Sequence, residues 1–161
     1  MTPDGAVIAG RCDSPKGPQA CIWFVDGTTG EWVIKPLGGL SKKNLDSVAT
    51  GVAYRVGSTA GDLMVVGTSM SIHHPEEAFV WSGNPVLEEE DIGYFYSLEY
   101  IITKTGAGEV SSMGSTWTLN QATGVSADGS RIVGWGVNPE GGGEAWLVTG
   151  FPFDTPEFTH E

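Results

Sequence analysis

One short block recurs three times along the chain, and a sequence that repeats itself must fold as repeated units. Ala6-Val7-Ile8-Ala9-Gly10, Leu63-Met64-Val65-Val66-Gly67 and Ser130-Arg131-Ile132-Val133-Gly134 each place a glycine after an apolar pair. A second block follows each of them: Gln19-Ala20-Cys21-Ile22-Trp23, Glu77-Ala78-Phe79-Val80-Trp81 and Glu144-Ala145-Trp146-Leu147-Val148. The spacing from Gly67 to Glu77 equals that from Gly134 to Glu144, and the first copy is one residue shorter. Chance does not align the order and spacing of two separate blocks in every copy.

The flanks repeat as well. Thr50-Gly51-Val52 matches Thr123-Gly124-Val125, and Thr2-Pro3-Asp4-Gly5 matches Ser126-Ala127-Asp128-Gly129. An Asp-Gly pair between β-prone runs is a hairpin signal, because glycine accepts a positive φ at no steric cost. The second copy carries a longer loop there, over 55–61. Each unit therefore reads as strand, tight turn, strand, loop, strand. In the first copy a further partner, 30–35, follows the turn around Asp26-Gly27. The chain is rich in turn residues, with 24 glycines, yet 40% of it is hydrophobic and only 17% charged, so it folds.

The apolar pairs Ile8-Ala9, Val65-Val66 and Ile132-Val133 put hydrophobic groups on both faces of a strand. A sheet with one wet face would alternate instead. The pattern predicts an all-β chain of blade-like sheets stacked on one another, as in a β-propeller, within a single repeat domain. Its approximate repeats are 1–48, 49–121 and 122–161. The extra length between Trp81 and Ala122 holds the acidic run Glu88-Glu89-Glu90-Asp91 and then the segment 94–104. There Phe95, Leu98, Ile101 and Ile102 suit one face of a short helix ending near Gly106, with a strand as the alternative.

The last copy carries a fuller motif. It runs Ala122-Thr123-Gly124-Val125-Ser126-Ala127-Asp128-Gly129-Ser130-Arg131-Ile132-Val133-Gly134-Trp135-Gly136, then Asn138-Pro139 and Glu144-Ala145-Trp146. With Trp117-Thr118-Leu119 ahead of it, and Leu37-Gly38-Gly39-Leu40 between units, it resembles the HAF-type repeat of bacterial extracellular proteins. That resemblance implies a β-propeller-like architecture and an extracellular or cell-surface setting, and it implies no catalytic residues. Propellers usually have about four to eight blades, whereas three are expected here, the first beginning inside its turn. The chain is then a piece of a longer propeller, or several chains complete a ring, with unpaired strand edges driving self-association.

Net charge, at −12 from 20 acidic and 8 basic residues, argues against nucleic acid and anionic membrane surfaces as partners. No apolar run approaches the ~18 residues of a membrane span, and the start, Met-Thr-Pro-Asp-Gly, is not a secretory signal. Cys12 and Cys21 fit neither a zinc knuckle nor a redox pair; two thiols and a cross-strand disulfide both remain open.

Catalytic chemistry is not advertised. A Gly-x-Ser-x-Gly elbow is lacking. His73 and His74, with Glu76, read as a loop tip and not a metal site. Asp4 and Asp128 lack a calcium-loop pattern. Gln19, Glu77 and Glu144 recur at one repeat position, where an acceptor would tie down backbone N–H groups at a strand start. Trp23 and Trp81 share another position and are expected in the core. Trp135 stands where the other copies have Arg11 and Thr68, so it is expected outside the core. Together with Asn138 and Glu140 it would make a ligand-binding platform on which a sugar could stack. The expected function is a non-enzymatic binding or assembly module with no cofactor, no metal and no catalytic residue. A carbohydrate-binding propeller is the alternative, and a glycan-acting enzyme a more distant one.

Overall fold

The computed structural model describes residues 1–43, 45–55, 62–86, 94–105, 109–110 and 117–150. The acidic run at 88–91 and most of the loop at 55–61 lie outside them. The fold is all-β, with three antiparallel sheets and one short helix among the described residues. The first sheet is β1 (Val7–Cys12), β2 (Gln19–Val25) and β3 (Trp32–Gly38), in that order. The central sheet runs in sequence order through β4 (Ser47–Tyr54), β5 (Leu63–Ser69), β6 (Glu77–Gly83) and β7 (Tyr94–Ser97). Helix α1 (Leu98–Thr105) follows, then β8 (Glu109–Val110), β9 (Thr118–Val125), β10 (Arg131–Val137) and β11 (Gly143–Thr149). The last sheet is ordered β8-β11-β10-β9, so its fourth strand comes from the chain ahead of its first.

The three sheets are copies of one design. Gly10, Gly67 and Gly134 occupy β1, β5 and β10, and each strand pairs with the one bearing its own second block. In the central sheet Gly67 pairs with Ala49 and Val66 with Gly51, which leaves Thr50 as an extra residue, a β-bulge. In the last sheet Gly134 pairs with Ala122 and Val133 with Gly124, which leaves Thr123 in the same role. The bulge presses a carbonyl toward the glycine. A Cβ on Gly67 would stand 2.0 Å from the Val48 oxygen, and one on Gly134 2.0 Å from the Gln121 oxygen and 2.2 Å from the Trp146 ring. The repeated glycine is thus the residue that admits both a bulged neighbour strand and an aromatic ring. Among the described residues the first sheet has no strand equivalent to β4 or β9, and its Gly10 meets only the Trp23 ring, at 3.0 Å.

The Asp-Gly turns repeat down to single hydrogen bonds. Thr2 N–H donates to the Val7 carbonyl (2.9 Å) and Gly5 N–H to the Thr2 carbonyl (3.0 Å); Ser126 with Arg131 (2.9 Å) and Gly129 with Ser126 (2.8 Å) match them. Gly5 and Gly129 both have φ of 72°. The hairpin loops after β1, β5 and β10 share a second staple. The side chains of Ser14, Ser71 and Asn138 each accept a backbone N–H two residues on, from Lys16, His73 and Glu140.

The sheets stack through two cores. Val7, Ile22 and Phe24 of the first sheet pack against Val65, Phe79 and Trp81 of the central one. On the other side, Met64, Val66 and Val80 pack with Leu119, Ile132, Trp146 and Val148 of the last sheet, joined by Leu98, Ile101 and Ile102 of α1. The helix expected in the insertion is present, and three of its four apolar positions are buried; Phe95 instead lies in β7, stacked on Phe79 at 4.2 Å. Ser97 accepts the Tyr100 N–H and caps it. Polar bonds stitch the stack together. Ser47 of β4 accepts the Ala20 N–H (2.8 Å) and donates to the Gly38 carbonyl (2.6 Å), bridging the irregularity between β2 and β3. The bulge residue Thr50 donates to the Ala122 carbonyl of the last sheet (2.6 Å).

Burial on both faces, read from all three apolar pairs, holds for the central sheet alone. Val65 and Val66 are fully buried, whereas Ile8 is 40% and Val133 45% exposed. The reason is positional: the first and last sheets each have a sheet on one side only. Trp81 is fully buried, while Trp23, its equivalent, is half-buried for the same reason.

The glycine geometry gives a direct test. Gly134→Ala is expected to lower unfolding free energy by about 3 kcal/mol, because the carbonyl it meets is fixed in the bulge. Gly10→Ala, facing a half-buried ring that can yield, should cost less than about 1 kcal/mol. Urea unfolding of the two variants measures the difference.

Candidate binding site

The structure places the three expected ligand-binding residues around the β10–β11 loop, but gives them different surroundings. Trp135 projects from the outer face of the last sheet, 44% exposed, with its ring over Gly143, where an added Cβ would come within 2.6 Å. Asn138 is occupied with its own loop. Its carbonyl oxygen accepts N–H groups from Glu140 (3.1 Å) and Gly142 (2.8 Å), and its amide donates to Glu144 (3.0 Å). Glu140 is exposed at the loop tip.

A cleft of about 260 Å³ gathers Asn138 and Glu140 with Trp117, Pro139 and Glu144; Trp135 is not in its wall. The aromatic group here is Trp117, buried to 5% exposure, and its indole N–H has no hydrogen-bond partner among the described residues. The sequence reading missed Trp117 as a site residue, because it lies ahead of β9 and reaches the loop only through the β9–β10 pairing at Val137 and Thr118. Glu144 takes the Asn138 amide and not a backbone N–H, so the tie expected at this repeat position takes another form.

A second cleft, about 210 Å³, lies between the β5–β6 loop and α1, lined by His73, His74, Glu77, Ser97, Glu99, Tyr100 and Thr103. Burial raises the Glu99 carboxyl above its ordinary range; the Leu119 N–H opposes this, the Glu77 charge adds to it and His74 offsets it. Glu76 is not part of this cleft, because its carboxylate accepts the Gln121 amide at 3.0 Å. Among the described residues no cluster of three or more His, Cys, Asp or Glu side chains is arranged to hold a metal.

The two end faces of the stack are apolar. On the first sheet, Ile8, Trp23 and Ile34 are directly paired, with Val25 and Trp32 beside them and the Cys12–Cys21 disulfide at the far end. Trp32 and Ile34 are each 53% exposed, and none of the strand residues on this face is charged. On the last sheet, Val133 pairs with Leu147 and Trp135 with Ala145; in β10 and β11 only Arg131, at the strand start, brings a charge to this face, and Glu109 of β8 pairs with Thr149 at its edge. No protein-family model, curated protein or solved structure matches the chain.

The Asp-Gly turns set local electrostatics. Hydrogen bonds from Ser126, then from Ser130, hold the Asp128 carboxyl down at about 2, and Thr2 with Ala6 lowers Asp4 in the same way. A carboxyl depressed in the folded state stabilises above its ordinary pKa and loses that contribution as pH falls through the folded value. The Asp128 carboxyl carbon is therefore expected to titrate near pH 2 by NMR in the wild type. Ser126→Ala should move that midpoint up toward 3.8, the ordinary value.

Proposed function

We propose that this chain is a non-enzymatic binding or assembly module of an extracellular or cell-surface protein, built of propeller-like blades. The observation that carries this reading is the pair of uncovered end faces, whose residues match positions that are buried elsewhere in the same chain. Ile8 and Trp23 correspond to Val65 and Trp81, and Val133 and Leu147 to Val66 and Val80. Exposed apolar surface of this kind on an otherwise acidic chain marks a place of association. The extracellular setting comes from the resemblance of the last copy to HAF-type repeats. It is supported by the Cys12–Cys21 disulfide, with Cα atoms 5.9 Å apart, since such bonds persist in oxidising compartments.

A photo-crosslinking residue placed at position 34 or 133, in cells producing the protein, tests this reading. Adducts are expected from both faces and none from position 28, which lies in the exposed β2–β3 turn. Adducts from neither face would overturn it.

The second reading, a carbohydrate-binding module, is favoured by one observation. The cleft beside Asn138 combines an indole N–H without a partner among the described residues, two carboxylates and an amide, the kind of set that fixes hydroxyl groups. Calorimetry against a panel of neutral oligosaccharides tests it. Binding lost in Glu140→Ala and Trp117→Phe, but kept in Trp135→Ala, would identify this cleft as the site. Binding lost in Trp135→Ala alone would return the site to the platform read from the sequence.

A further inference from the structure

The two end faces are complementary because the repeat makes them so. In the central sheet, Val65, Phe79 and Trp81 face the preceding sheet, and Met64, Val66 and Val80 face the following one. Every sheet thus has a face that receives its predecessor and a face that meets its successor. The first sheet's uncovered face, with Ile8, Trp23 and Ile34, is a receiving face. The last sheet's uncovered face, with Val133, Leu147 and Trp135, is a successor face. Each is the missing neighbour of the other.

We propose that a second copy of this chain docks head to tail, the outer face of its last sheet covering the outer face of the first sheet. This rests on the association reading above and gives it a partner and a geometry. Three features favour this occupant. Both internal sheet-to-sheet interfaces of the chain already join a successor face to a receiving face, so the proposed contact continues an established packing. The paired strands bring no charged residue to the receiving face, and β10 and β11 bring only Arg131 to the successor face, with Glu109 of β8 opposite Thr149 at the sheet's edge. The centres of the two faces, around Trp23 and Val133, can therefore meet without opposing carboxylates even between chains of net charge −12. The faces are also unlike one another, which makes the contact heterologous: it extends a stack or closes a ring, and is not the self-complementary contact of an isologous dimer. Contact between faces, not between strand edges, is what the burial pattern calls for, because the unmatched exposure lies on Ile8, Trp32, Ile34, Val133 and Trp135.

Light scattering after size exclusion, on the wild type and two variants, tests this. Ile34→Glu spoils only the receiving face and Val133→Glu only the successor face; both sites are already exposed, and circular dichroism confirms folding. Trp32→Glu and Trp135→Glu provide a second pair should either of the first fail to fold. The wild type is expected at two or more chains of 17.0 kDa and each variant at one. An equal mixture of the two variants should form a complex of two chains and nothing larger, because each supplies the face the other lacks. A wild type that stays at one chain, a variant that still self-associates, or a mixture that stays at one chain would each overturn the proposal. A wild type at one chain whose crosslinked adducts have a mass other than two chains would leave the association reading standing and remove the second copy as its partner.

Discussion

The central sheet has no face for water, and the rest of the structure is arranged around that constraint. Its strands β5 and β6 are buried almost end to end, from Leu63 through Trp81, with Val65 and Val66 pointing to opposite sides. Burying an aliphatic or aromatic side chain is favourable by about 1.5–3 kcal/mol, and leaving either side of this sheet wet would forfeit several such terms at once. The first and last sheets are therefore obligatory covers. The repeat provides them economically, since the same strand pair with the same glycine makes a receiving surface on one side and a covering surface on the other.

Close approach within each sheet depends on a smaller device. The bulged Thr50 and Thr123 shorten their strands' pairing and push a carbonyl against Gly67 and Gly134. Because the bulge residue also turns its hydroxyl outward, Thr50 reaches the Ala122 carbonyl and links the central sheet to the last one. Thr123 has the same geometry, but its hydroxyl meets only the Val133 carbonyl of its own sheet at 3.3 Å, and the residue is exposed. The end of the stack is thus visible in single side chains as well as in the apolar faces. The first copy departs from the pattern in another way: Cys21, bonded to Cys12, stands where Phe79 and Trp146 place a ring against the glycine, and the ring that meets Gly10 is that of Trp23.

Much of this was legible in the sequence, because a repeat lets one copy explain another. The glycine blocks located β1, β5 and β10, the Asp-Gly pairs located the tight turns, and the apolar spacing at Leu98, Ile101 and Ile102 located the helix. Two things were not legible. Order along the chain could not show that β8, ahead of β9, closes the far edge of the last sheet beside β11, since two residues carry no periodicity. Nor could identity of type distinguish Ile8 and Val133 from Val65 and Val66; whether an apolar residue is covered depends on its sheet's place in the stack. The expected site was legible in part for the same reason. Asn138 reads as a ligand group in isolation, yet Ser14 and Ser71 show the position to be a loop staple. Trp117 enters the cleft only through strand pairing.

Native-state hydrogen exchange followed by NMR measures the stacking most directly. If the central sheet is covered on both sides, the amides of Met64, Val66 and Val80 should exchange only through global unfolding, and should respond to urea with the full slope of the unfolding transition. The amides of β3 and of β11's outer edge should open at lower free energy. Equal protection across the three sheets, or faster exchange in β5 and β6 than in β1, would contradict a stack with the second repeat at its centre.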